Sequence, residues 1–240
     1  MVLVATAVVA TLWLAASNQL ILYIHPRYVV FTVIMAVIAL AVIVASVIAR
    51  PAHDHDEADT PRQKAVSVAA VATSLILGIG LIAVPPAVLT SSTVAQRDIN
   101  SAGVGADVTS VDDAAAGPDS AFAKFTVLDW ASLLRQTSDL AFYDAKPVDV
   151  VGFVTEDPDD PQNVFYVSRF VITCCAVDAQ PVGVPVYLQN WKDTYSADEW
   201  VEVTGTFGAN PSSKSTQPIA VQPGDAGIEK IEEPGDPYLF

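Results

Sequence analysis

Three long uncharged runs open the chain. Met1 to Ala16 is apolar throughout, and after Ser17, Asn18 and Gln19 the run resumes over Leu20–Ile24. Tyr28 to Ala49 is the second, closed by Arg50 and Pro51. The third runs from Ala65 to about Leu89 and carries Gly78, Gly80 and the pair Pro85–Pro86 near its end. About 20 residues of α-helix cross roughly 30 Å of hydrocarbon, and membrane helices tolerate glycine and proline better than soluble ones do. The pattern therefore predicts a membrane α-helical anchor at 1–90 with three transmembrane helices, at about 1–24, 28–49 and 65–89. The first run lacks a basic leader and is followed within a few residues by another span, so it reads as a retained helix rather than a cleaved signal peptide.

Beyond residue 90 the pattern changes. Residues 91–121 are rich in Ser, Thr, Ala, Gly and Asp and poor in large apolar side chains, which predicts a flexible acidic linker. Order is expected again over 122–240. Asp129 is a candidate N-cap for a helix in which Trp130, Leu133, Leu134 and Leu140 fall on one face, ending near Phe142. Strand signals follow at Pro147–Thr155, Val164–Thr173, Val182–Leu188 and Trp200–Phe207. A fifth, interrupted strand is expected over Gln217–Val221 and Ile228–Ile231. Five short strands and a helix predict a mainly-β domain, an OB-like five-stranded barrel, with a β-sandwich as the alternative. Gly152 and Gly205 fit bends or bulges in a tightly coiled sheet.

Charge sharpens the division. Residues 1–90 hold four basic and four acidic side chains, whereas 91–240 hold eight Lys/Arg against 23 Asp/Glu and so carry the whole net charge of −15. Such a surface repels a phosphate backbone, so no nucleic acid is expected as a partner. Basic residues in short loops set membrane orientation. The loop after the first span has Arg27, whereas the loop after the second has Arg50, Arg62 and Lys64. The second loop is then cytoplasmic, and the acidic domain is extracytoplasmic on a multi-pass protein of the cell membrane. Ala36, Ala39, Ala41, Ala45, Ala69, Ala70, Gly78 and Gly80 are small enough for helices to approach closely, on each other or on a partner. No charge lies inside a span, which argues against a transport pathway made by this chain alone.

Two clusters offer metal-ligand chemistry. His53, Asp54, His55 and Asp56 stand together in the second loop; imidazole and carboxylate both ligate divalent metals, although a solvated polar loop accounts for the same residues. The two cysteines are adjacent, in Thr173-Cys174-Cys175-Ala176-Val177-Asp178. If the strand ends at Thr173, both sulfurs can face one site with Asp178 and hold Zn²⁺ or Cu⁺. A redox pair is a second reading, since a vicinal disulfide is strained and easily reduced. One buried cysteine with an incidental neighbour is the third. Catalysis is not expected. The outer domain has no histidine, because the three are His25, His53 and His55, and neither phosphate-binding nor dinucleotide glycine motifs occur. His25, beside Pro26, reads as a structural residue of a turn.

Several strings together resemble the YcgQ-like bacterial family of membrane-anchored proteins. They are Tyr23-Ile24-His25-Pro26-Arg27-Tyr28, the His/Asp loop before the third span, Val151-Gly152-Phe153-Val154, Arg169-Phe170-Val171-Ile172-Thr173-Cys174-Cys175-Ala176-Val177-Asp178-Ala179, Trp200-Val201-Glu202-Val203-Thr204-Gly205, and the tail Pro234-x-x-Pro237-Tyr238. The resemblance implies a C-terminal domain of unknown function and a predicted integral-membrane permease as partner. It implies no established activity. The expectation is thus an accessory or binding subunit of a permease, seated in the lipid bilayer, with divalent or soft metal ions, Zn or Cu, as the candidate cargo. The alternative is a cell-envelope structural or assembly protein without a small-molecule ligand.

Overall fold

A computed structural model describes residues 2–49, 61–83, 88–101, 110–144 and 146–240. It divides into two compact units, Met1–Ala87 and Val88–Phe240.

The first unit is helical: α1 (Val2–Ala16), α2 (Pro26–Ile48) and α3 (Pro61–Ala83). α1 packs against both of the others. Small residues make this possible, with Ala10 and Ala36 buried and Gly78 lying directly against Thr6. A side chain at Gly78 would drive into the Thr6 methyl, which gives that glycine its role. Among the described residues only α2 is both long and apolar enough to cross a membrane. The first expected span is shorter than the sequence pattern implied. α1 ends at Ala16, Asn18 takes a left-handed conformation (φ 57°), and Leu20–Leu22 forms a 3₁₀ turn. The polar Ser17-Asn18-Gln19 triplet breaks the helix by binding its own backbone: the Ser17 hydroxyl donates to the Trp13 carbonyl at 3.0 Å. In α3 the uninterrupted apolar stretch is Ala65–Gly80. His25 is the N-cap of α2, its Nδ1 accepting from the Arg27 amide at 3.2 Å, with Pro26 at the first helical position.

The second unit is a closed barrel. Its strands are β1 (Pro147–Glu156), β2 (Val164–Val171), β3 (Gln180–Tyr187), β4 (Trp200–Ala209) and β5 (Ile219–Lys230), with a short β6 (Tyr238–Leu239) added to β2. β1 pairs with both β2 and β4, β4 with β5, β5 with β3 in parallel, and β3 with β2, so five strands close on themselves. Closure excludes the two-sheet sandwich. The strand positions agree with the alternation in the sequence to within a few residues. The fifth strand is continuous as an element, but its pairing with β4 jumps between Val203 and Gly205. Gly205 sits at this bulge, where a β-carbon would lie 2.6 Å from the Gln222 carbonyl oxygen.

Val148, Val150, Val154, Phe165, Val167, Val184, Val201, Val203 and Val221 fill the interior. Short helices α4 (Ser91–Val94) and α5 (Val111–Ala116) precede α6 (Val127–Gln136) and α7 (Leu140–Tyr143). α6 closes the barrel with Trp130 and Leu133, fully buried, and Trp130 meets Phe207 edge-on at 4.8 Å. The cap is Thr126 rather than Asp129. Asp129 is instead the third helical residue, and its carboxylate accepts from the Thr126 amide at 2.8 Å. The expected single helix is broken at Thr137, after which Asp139 caps α7.

The expected linker is largely part of this unit where it is described. Residues 88–101 form a strap on the barrel. The Asn100 side chain donates to the Gly183 carbonyl and accepts from its amide, both at 2.8 Å, while its own amide donates to the Pro181 carbonyl at 3.0 Å. It thereby satisfies an edge of β3 that β5 leaves bare. Gly183 permits this approach: a β-carbon there would lie 2.6 Å from Ile99 Cδ1. Ala114, also inside the expected linker, joins the core beside Phe122. Few apolar side chains suffice, because main-chain and amide hydrogen bonds hold the strap.

Strap and tail explain why all eight residues of β2 are buried. Phe165 and Val167 face the interior, whereas Tyr166, Ser168 and Phe170 are covered from outside. Tyr238 pairs with Phe170 in β6, and its hydroxyl accepts from the Leu89 amide at 3.1 Å. Arg169 fastens the tail by donating to the carbonyls of Asp236 (2.6 Å) and Pro237 (3.0 Å), with its guanidinium 5.2 Å from the Trp200 ring centre. Burial lowers the Arg169 pKa from its ordinary value, and Asp236 opposes that shift.

Candidate metal centre

β2 ends at Val171, Ile172 stays buried, and the chain emerges at Thr173 into the loop that leads to β3. A 3₁₀ turn, Ala176–Asp178, follows Cys175. Asp178 organises this loop. One carboxylate oxygen accepts from the Thr173 amide at 3.2 Å; the other accepts from Cys174 at 2.8 Å and Cys175 at 3.3 Å. In return the Asp178 amide donates to the Cys175 side chain. Ala179, fully buried, then leads the chain into β3.

This arrangement brings Cys174, Cys175 and Asp178 together. One sulfur of each cysteine and one carboxylate oxygen lie within 4.8 Å of one another. Cys174 is exposed, the other two are half-buried, and neither cysteine is in a disulfide. Zinc bonds of about 2.3 Å to sulfur and 2.1 Å to oxygen place tetrahedral ligands about 3.5–3.8 Å apart, so the triangle must tighten by about an ångström. The oxygen that accepts only from Thr173 keeps a lone pair for a metal. Three donors leave a fourth position open. The loop is also held from outside its own sequence, because Arg97 Nη2 donates to the Val177 carbonyl at 3.0 Å.

His53, Asp54, His55 and Asp56 lie outside the described residues. His25 is in hydrogen-bonding use as the α2 cap.

Sequence reasoning missed a second organised feature. The acidic turn after β1 ties down the loop between β4 and β5. Asp157 accepts from the Ser215 hydroxyl at 2.5 Å, Asp159 from the Thr216 hydroxyl at 2.7 Å, and Asp160 from the Ser212 hydroxyl at 2.6 Å. The Ser212 hydrogen bond, helped by Asn163 and Lys214 against the cost of burial, holds the Asp160 carboxyl below its usual range. Burial, with Asp157 and Asp159 nearby, raises the Tyr166 phenol. The available signal was the spacing of three aspartates against Ser212, Ser215 and Thr216.

Models of two domains match the chain: the DUF1980 N-terminal domain over residues 1–100 and the DUF1980 C-terminal domain over residues 126–240. Both domains of the DUF1980 family are present in this chain. No curated protein and no solved structure matches it. The Cys–Cys–Asp loop falls within the C-terminal DUF1980 domain. The N-terminal DUF1980 match runs past the helical unit and takes in the strap as far as Asn100.

Proposed function

We propose that this chain is a membrane-anchored accessory subunit of an integral-membrane permease, and that its barrel, of the OB type, takes up a metal ion at Cys174, Cys175 and Asp178. The convergence of the three ligand atoms within 4.8 Å carries the metal reading. Two sulfurs with one carboxylate oxygen suit Zn²⁺ in a tetrahedral site, while Cu⁺ would rely on the sulfurs alone. An exposed loop with a free fourth position favours a site that passes its ion on, since structural zinc sites are closed. Lipid contact is supported by α2, 23 residues long with Phe31, Ile34, Ile38 and Val42 all exposed. Three transmembrane spans, with the barrel outside the cell membrane, follow from the uncharged runs and from Arg50, Arg62 and Lys64 in the second loop. The permease partner rests on the YcgQ-like resemblance.

The test measures zinc and copper binding by the full-length protein in detergent micelles, with and without Cys174→Ser/Cys175→Ser. One ion per chain, lost in the double variant, supports the reading. A His53→Ala/His55→Ala variant separates any weaker binding by that loop. Equal binding with and without the cysteines overturns the metal role. A second reading, a cell-envelope structural protein, then takes its place. It is favoured by one observation: Asp178 already accepts three backbone hydrogen bonds, which a loop with no metal also needs.

A further inference from the structure

The metal reading uses Cys174 and Cys175 as donors, and the loop offers the same two sulfurs a second chemistry. Adjacent side chains of an extended strand point to opposite faces. Here β2 has already ended, and one Asp178 oxygen accepts from the amides of both Cys174 and Cys175, at 2.8 and 3.3 Å. The two residues turn about that oxygen, and their sulfurs lie within 4.8 Å of each other without a disulfide between them. The pair is unequal. Cys174 is exposed, whereas Cys175 is half-buried and its side chain accepts from the Asp178 amide. Val177, 82% exposed, marks the crest of the loop as standing in solvent, so a small molecule can reach Cys174. Thiol–disulfide exchange needs this inequality: one sulfur open to the reagent and a second beside it to resolve the mixed disulfide.

We propose that Cys174 and Cys175 are a reversible redox pair, oxidised by a low-molecular-weight disulfide, and that closing the pair ejects the metal ion. Cys174 attacks one sulfur of the reagent, the reagent's S–S bond breaks, and the first reagent thiol leaves with the Cys174 proton. Cys175 then attacks Cys174 Sγ, the mixed S–S bond breaks, and the second reagent thiol leaves with the Cys175 proton. Two electrons pass from the cysteines to the reagent. From the metal-bound pair the two protons come from water, and the ion departs. Ring and ion exclude one another. A disulfide holds its sulfurs about 2.05 Å apart, whereas two sulfurs on one zinc stand about 3.8 Å apart. Neighbouring cysteines close a strained ring that is easily reduced, so the step reverses. The ejection rests on the proposed metal site; the closure does not.

The test treats full-length protein in detergent micelles, stripped of metal by a chelator, with oxidised glutathione and follows its intact mass. The expected product has lost two hydrogens and carries no glutathione, and dithiothreitol restores the starting mass. Cys175→Ser stops at one retained glutathione, on Cys174. Cys174→Ser reacts about tenfold more slowly, because the remaining sulfur is half-buried. Zinc-loaded protein also oxidises about tenfold more slowly than metal-free protein, and it gives up its ion to a coloured chelator as the two hydrogens are lost. Two glutathiones on one chain, disulfide-joined dimers, or no reaction at all overturn the redox pair. Zinc retained by the closed form overturns the ejection. Normal closure in a protein that loads no zinc removes the metal reading, and the ejection with it, while the redox pair stands.

Discussion

α2 and β2 are both unbroken hydrophobic runs, and the protein treats them in opposite ways. In α2 most large side chains are bare, with Phe31 64% and Ile38 51% exposed. In β2 every residue is buried, with Phe170 at 0%. The helix has satisfied its own backbone hydrogen bonds and asks only for an apolar medium around its side chains, which on the proposed anchoring would be the bilayer. The strand has two faces and a polar edge. Its outer face is covered by the protein itself, through a strap held by Asn100 and a tail held by Arg169. Hydrophobicity along the chain thus states a demand for cover without saying what provides it.

The largest expected effect separates the two covers. Phe170→Ala leaves a cavity beside Phe153, whose ring stacks on it at 5.6 Å, and should destabilise the barrel by about 4 kcal/mol. Phe31→Ala in α2 should change that stability by less than about 0.5 kcal/mol. Denaturant unfolding in detergent, followed through tryptophan fluorescence, measures both; equal effects would break the comparison. Next comes removal of the tail's fastening. Arg169→Met deprives the carbonyls of Asp236 and Pro237 of their donor and should cost about 3 kcal/mol in the same measurement, with Arg169→Lys recovering only part.

The smallest effect is a pH dependence confined to the barrel. The folded state holds Asp160 below its usual carboxylate range, chiefly through Ser212. Its contribution is therefore complete above the pKa of the unfolded chain and is lost as pH falls through the folded value. Acid should loosen the barrel, and Asp160→Asn should weaken the pH dependence while lowering stability at neutral pH. No acidic residue lies in 2–49 or 61–83, so the helical signal of those segments should hold as the pH drops. Circular dichroism and tryptophan fluorescence recorded together through an acid titration decide this.

The sequence was informative where one residue type has one common use. Alternating valines located the barrel strands, and Cys174-Cys175-x-x-Asp178 located a cluster that the fold does draw together. It was less informative where polar side chains do structural work at long range. Asn100 reaches Gly183 across 83 positions, and Asp160 reaches Ser212 across 52. Neither has a local periodicity to betray it. Low apolar content made 91–121 look like a spacer, because the reading counted side chains available for a core and overlooked amides available for an edge. Asp129 was misplaced by three residues because in a capping box the acidic partner and the cap lie that far apart and both bear oxygen.

The strap changes where this protein can be cut. A fragment begun at Phe122, the apparent start of order, would leave behind Leu89, Ile99 and Asn100. It would bare Tyr166 and the free edge of β3 at Pro181–Gly183, an invitation to strand-to-strand association. The natural piece to express begins at Val88, so that the Asn100–Gly183 pair stays with the barrel.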